Sequence, residues 1–210
     1  MNRKFLASFF TAFAITTNAL PAANDDSKTI LHTLAMSSNY SSLMFEISKN
    51  KNLINSQDNA GRTPLNYACL YNRTANALLL LSSEADPNIA DHDGLTPLHR
   101  AAFNGLDTLI ADLVSHGGDC NATTINGGTP LHLAVQKNHF GCVKKLLACN
   151  GIDLTLTLHS GDFKDLTAQA LAQKLEYRDL IKLFKEKNNP AEQTAQSTAK
   201  KPQDRSCLIS

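Results

Sequence analysis

Thr96-Pro97-Leu98-His99-Arg100-Ala101-Ala102 decides how this chain is read, because it recurs at one fixed interval on both sides. Thirty-three positions earlier stands Thr63-Pro64-Leu65-Asn66-Tyr67-Ala68-Cys69, and thirty-three later Thr129-Pro130-Leu131-His132-Leu133-Ala134-Val135. Each copy is written as a helix start. The Thr hydroxyl can accept a hydrogen bond from a first-turn amide, and Pro in the first helical position gives up only an N–H that would go unpaired. Leu98, Ala101 and Ala102 share one helical face, and the small residues let a neighbouring helix approach. Gly61, Gly94 and Gly127 stand two places before each Thr, where a tight turn needs a residue tolerant of positive φ.

The same phase governs the second half of each unit. Asn72, Gly105 and Asn138 occupy one aligned position and read as repeated helix stops in the left-handed region. A second apolar helix comes after each stop, over Leu78–Leu81, Leu109–Val114 and Val143–Leu147. The unit closes with Ala85-Asp86-Pro87-Asn88 and then Gly118-Asp119-Cys120-Asn121.

This period and wording resemble the ankyrin-repeat family. The resemblance implies an all-α solenoid of about five stacked helix-turn-helix repeats, the first and last being degenerate caps, because a lone unit cannot bury its own apolar face. The repeats are expected at 27–57, 58–90, 91–123, 124–155 and 156–187, making one domain over 27–187. Thr29-Ile30-Leu31-His32 marks the first. The last opens with Thr167-Ala168-Gln169-Ala170-Leu171-Ala172 after an insertion around Leu158 to Lys164, read as a longer hairpin loop. A final helix, about Tyr177 to Lys187, carries Lys182, Lys185 and Lys187 on a solvated capping face.

The flanks carry different signals. Met1-Asn2-Arg3-Lys4 is positive, Phe5 to Ile15 is an apolar run, and Thr17-Asn18-Ala19 offers small residues. That is the layout of a signal peptide over 1–23, with an apolar capping helix as the alternative. From residue 188 the periodicity ends, and 188–210 reads as a polar, disordered tether with a reach of roughly 25 Å. It finishes Cys207-Leu208-Ile209-Ser210, which resembles a prenylation box with Cys207 as the lipidation site. A signal for export joined to a box read in a eukaryotic cytosol resembles exported ankyrin effectors of intracellular bacterial pathogens. The expected localisation is therefore secreted, at a host membrane if prenylated. The alternative is a periplasmic or extracellular accessory of a stress or redox enzyme, the box then being accidental.

Net charge of +1 over 210 residues gives no bulk attraction to nucleic acid. Of five cysteines, Cys69 and Cys142 align with Ala102 and Leu109 and read as core, while Cys120 and Cys149 fall near repeat-closing turns. His32, His99 and His132 share one aligned position, and the family resemblance implies that each ring ties one repeat's helix to the next hairpin rather than binding metal. No phosphate loop, nucleophile elbow or zinc-hydrolase motif is present, so no enzyme, cofactor or small-molecule substrate is expected.

The expected activity is non-enzymatic binding of another protein. Carrying the family's variable positions onto this chain gives a footprint on the concave face: Asn59, Ala60, Arg62, Leu70 and Tyr71; His92, Asp93, Leu95, Phe103 and Asn104; Ile125, Asn126, Gln136 and Lys137. Tyr71 and Phe103 are the expected anchors.

Overall fold

The computed structural model describes residues 28–188. The expected signal segment and the tail from 189, with Cys207, lie outside the described residues. Among those described, ten α-helices come in pairs: α1 (Ile30–Met36) and α2 (Tyr40–Lys49), α3 (Pro64–Leu70) and α4 (Thr74–Ser82), α5 (Pro97–Asn104) and α6 (Asp107–Ser115), α7 (Pro130–Gln136) and α8 (Phe140–Leu147), α9 (Ala168–Lys174) and α10 (Arg178–Asn188). First members pack in series, α1 on α3, α3 on α5, α5 on α7 and α7 on α9; the second members form a parallel row from α2 to α10. Each pair is thus one layer of an all-α solenoid, and Thr63, Thr96 and Thr129 cap equivalent corners of consecutive layers.

The caps work as their chemistry dictates, with an addition from histidine. Thr96 Oγ1 accepts from the His99 amide at 3.4 Å, while the Thr96 amide donates to His99 Nδ1 at 3.2 Å. Because Nδ1 accepts, the ring proton sits on Nε2, which donates to the Gly128 carbonyl of the next layer at 3.0 Å. His32 repeats the device toward Arg62 O at 2.9 Å, and His132 toward Leu166 O at 3.2 Å. The last layer has Ala170 at that position, and no described hairpin lies beyond it to receive a ring.

Helix stops also arise from local sterics. Asn72, Gly105 and Asn138 have φ of 58°, 76° and 57°, and Glu176 ends α9 at 59° without the glycine or asparagine that would mark it in the sequence. Gly94 meets a stricter demand. Its φ is 79°, and a Cβ there would lie 2.8 Å from Thr124 Cα of the next hairpin. The hairpins therefore approach backbone to backbone, with His92 N donating to Ala60 O (3.0 Å) and Ile125 N to Asp93 O (3.1 Å).

The core lies between the two helix rows. Leu31, Leu65, Leu98 and Leu131 repeat in it with at most 1% exposure, each such leucine contributing about 1.5–3 kcal/mol of burial. The second helices are longer than their apolar runs suggest, because polar first-turn residues such as Thr74 and Asp107 extend them outside the core. Both ends place polar residues where inner layers bury apolar ones, although the first layer also leaves Ile30, Tyr40, Met44 and Phe45 exposed. Ser42 and Glu46 of α2 stand where α6 buries Leu109 and Leu113, and Gln169 of α9 stands where α7 buries Leu131. Lys182, Lys185 and Lys187 are exposed on α10, as expected of a solvated outer face. The insertion at 158–164 forms a hairpin, with a bridge between Thr157 and Thr167 and Leu158 N bonding Leu166 O at 3.1 Å.

Candidate protein-binding surface

The hairpin tips and the first-helix row share one edge of the stack, and the predicted footprint falls along it in five columns, three on the hairpins and two on the first helices. Asn59, His92 and Ile125 form the tip column, all exposed, Ile125 at 68%. Behind them, Ala60, Asp93 and Asn126 supply the carbonyls of the hairpin ladder. The ladder continues past the predicted footprint. His159 N bonds Asn126 O at 2.7 Å, and Ser160 Oγ bonds Asn126 Oδ1 at 2.9 Å. The inserted loop therefore supplies a fourth tip, with His159 and Ser160 exposed. The sequence signal was available, since His159 falls thirty-four positions after Ile125.

The third column departs from expectation at Leu95. It is buried, 4% exposed, and offers no surface to a partner. Its place in the repeat is shared by Arg62 and Gly128, so the position is a seam between hairpin and helix where a leucine turns inward. Arg62 is half-buried there, its guanidinium 5.9 Å from the Tyr67 ring and its Nε 3.9 Å from Asp91. Leu70 is half-buried against the core. Asn104 is half-buried too, its amide donating to Cys69 O (2.9 Å) and Leu70 O (3.1 Å), so this side chain ties layer to layer.

The anchors differ in character. Tyr71 is 46% exposed, and its ring stacks on buried Tyr67 with centroids 6.2 Å apart and planes at 15°. Phe103 is half-buried, with the Lys137 ammonium 4.3 Å from its ring centroid. Gln136 is half-buried and Lys137 exposed beside it.

Beneath this surface lies a polar layer that periodicity did not reveal. The Asp58 carboxylate accepts from Tyr67 Oη at 2.6 Å and from the amides of Ala60 and Arg62 at 2.9 and 2.8 Å. Burial alone would raise that carboxyl, but the Tyr67 bond and the two amides outweigh it and hold its pKa low. Burial first, then the Asp58 contact, pushes the Tyr67 phenol up. One layer on, at equivalent positions, Asp91 pairs with Arg100, both buried. These aspartates are turn residues, as the repeat pattern requires, yet each also binds a residue on the helix behind it, Asp58 a neutral phenol and Asp91 a guanidinium charge.

Among the described residues, no cluster of three or more His, Cys, Asp or Glu could hold a metal ion, and no helix is long and apolar enough to cross a membrane.

Stacked helical hairpins with tips joined in a ladder and side chains varied along one edge define a recognition scaffold. Residues 6–91 and 79–158 match the family model described as Ankyrin repeats (3 copies), and the chain belongs to the ankyrin-repeat family. The matched span begins inside the apolar run. Comparison with curated proteins finds no match. Ankyrin repeats mediate binding to other proteins, and such proteins are generally non-enzymatic interaction modules.

Proposed function

We propose that the protein holds a partner protein along the edge formed by its hairpin tips and first helices, the concave side of an ankyrin stack, with Tyr71 and Phe103 as the anchors. The observation that carries this reading is Tyr71, a large ring left 46% exposed yet fixed by stacking on a buried neighbour. An aromatic group already held in place loses little conformational freedom when a partner covers it. Ile125 at the tip and Lys137 beside Phe103 extend the contact on either side. Once affinity capture on the intact chain has identified the partner, changing Tyr71 and Phe103 together to Ala is expected to weaken binding by more than about 2 kcal/mol, roughly thirtyfold. Helical content should stay unchanged. Equal affinity for both proteins would overturn the assignment.

We further propose that the protein is exported, acts on a host-cell protein, and is tethered to a host membrane by a prenyl group on Cys207. The support is the order of the terminal motifs, positive segment and apolar run at one end and Cys207-Leu208-Ile209-Ser210 on a polar tether at the other. One isoprenoid binds a bilayer only marginally, and Lys200, Lys201 and Arg205 would each add about 1 kcal/mol against an anionic leaflet. Intact mass of the protein recovered from host cells tests both ends. Retention of Met1 through Ala23 would refute cleavage, and an unmodified Cys207 still carrying the last three residues would refute prenylation.

A further inference from the structure

Cys120 and Cys149 lie in the turns that close the third and fourth layers, 7% and 8% exposed, whereas Cys69 and Cys142 are sealed at 0% and 1%. The two turns are stapled together. Asn121, next to Cys120, donates from Nδ2 to Gly151 O at 2.8 Å and accepts from Asp153 N at 2.8 Å. The two cysteine-bearing turns are thereby held side by side, and the Cys120 and Cys149 thiols, both in the core there, influence each other's ionisation. Cys149 Sγ also lies 3.6 Å from the Lys145 carbonyl. The pair has a direction. The contact with Cys120 holds the Cys149 thiol below its usual range, with the Lys187 charge adding to it, and the same contact together with burial pushes Cys120 up. Burial pushes Cys69 and Cys142 up to about 12, which leaves both inert.

We propose that Cys120 and Cys149 form a redox-active dithiol that takes a low-molecular-weight disulfide, such as oxidised glutathione, as its oxidant and closes into a disulfide joining the third and fourth layers. The Cys149 thiolate attacks one sulfur of the oxidant, the oxidant's S–S bond breaks, and one thiol leaves carrying the proton Cys149 gave up. Cys120 then loses its proton and attacks Cys149 Sγ, breaking the mixed disulfide and releasing the second thiol. Two protein thiols are oxidised by two electrons, and one small disulfide is reduced to two thiols. Neither cysteine belongs to the partner-binding edge, so the bond would fasten the stack without occupying it.

The test uses the full chain, reduced, freed of reductant and incubated with oxidised glutathione. Remaining thiols are then alkylated, and products are read by intact mass and peptide mapping. The expected product is two hydrogens lighter, retains no glutathione at Cys149, and yields a peptide linking Cys120 to Cys149. Its thermal midpoint should rise by about 10 °C. Cys120→Ser should instead accumulate glutathione on Cys149, and Cys149→Ser should leave Cys120 unmodified. The Cys207→Ser chain must give the same link, which separates it from exchange through the tail. A stable glutathione adduct on Cys149 of the unchanged chain, both thiols as unreactive as Cys69, or a link that lowers the midpoint would each overturn the proposal.

Discussion

The second and third layers share a backbone but solve its polar problems differently. Both open with a Thr-Pro cap, both carry a glycine of positive φ in the preceding hairpin, and both bury an aspartate at the same corner. In the second layer Asp58 is met by the Tyr67 hydroxyl, and the cap position that ties layers together is Asn66. In the third, Asp91 is met by the Arg100 guanidinium, and that position is His99. The repeat template thus fixes where a buried charge and an interlayer tie must stand, and leaves their chemistry open. The third layer is the more heavily committed, since a buried ion pair is costly to break from one side.

Replacing Arg100 by Met sharpens that difference most. Asp91 would keep two backbone donors, Asp93 N and Leu95 N, and the half-buried Arg62 at 3.9 Å, but lose the buried cation it bonds directly. The expected loss is about 3–5 kcal/mol of unfolding free energy. Tyr67→Phe, the matching change one layer earlier, removes one hydrogen bond while keeping the ring that stacks on Tyr71, and should cost about 1–2 kcal/mol. Chemical denaturation of both variants at pH 7 checks the ranking. Similar losses would mean that Asp91 gains nothing special from its guanidinium.

Acid should expose the histidine ties next. Burial holds His99 and His132 at about 4 against an ordinary 6.5, and lowers His32 as well. A neutral ring is needed because Nδ1 must accept from the Thr amide. Between about pH 6.5 and 4 the unfolded chain binds protons that the folded chain refuses, so stability is full above 6.5 and falls as pH drops through that window. The loss amounts to about 3 kcal/mol for each of His99 and His132. Asp58, depressed from 3.8, contributes only in a lower window. Denaturation midpoints at pH 7, 5.5 and 4 should therefore decline, the fall to 5.5 coming before carboxylates titrate, and His99→Asn should flatten the decline by about a third to a half. An unchanged slope in that variant would remove His99 from the account.

Most of this architecture was legible in the sequence, because the repeat forces the same local physics on residues thirty-three apart. Thr-Pro caps, positive-φ glycines and Asn72, Gly105 and Asn138 each stand where the backbone favours a few residue types, though Glu176 shows that the helix stop can also be met without Gly or Asn. The candidate surface was less legible. Leu95 shares its column with Arg62, and period alone does not say that an arginine there leans out while a leucine folds in. Asn104 looked like a variable surface residue but spends its amide on the preceding layer. His159 stands one residue out of phase, thirty-four rather than thirty-three positions after Ile125, at the very tip where the ladder continues.

The smallest expected effect is the most discriminating test of the ladder. In the second layer Asn66 turns its Nδ2 to Ile89 O at 3.0 Å, and its Oδ1 is buried with no hydrogen-bond partner. One repeat on from the His32 acceptor and one before the His99 acceptor, the matching carbonyl is Leu95 O. That carbonyl already takes the Asp91 amide at 3.1 Å, but so does Gly128 O take the Thr124 amide at 2.9 Å while still receiving His99. Leu95 O therefore has a lone pair to spare. Asn66→His removes the orphaned oxygen, gives Thr63 the Nδ1 acceptor its counterparts have, and sends Nε2–H to the third hairpin, at the loss of the Ile89 contact. The expected gain is about 1 kcal/mol at pH 7, or a rise of about 3 °C in thermal midpoint. Because the new ring must also stay neutral, the gain should disappear by about pH 4. A gain that persists in acid would come from packing, and no gain at all would mean the second layer is already tied as firmly as the third.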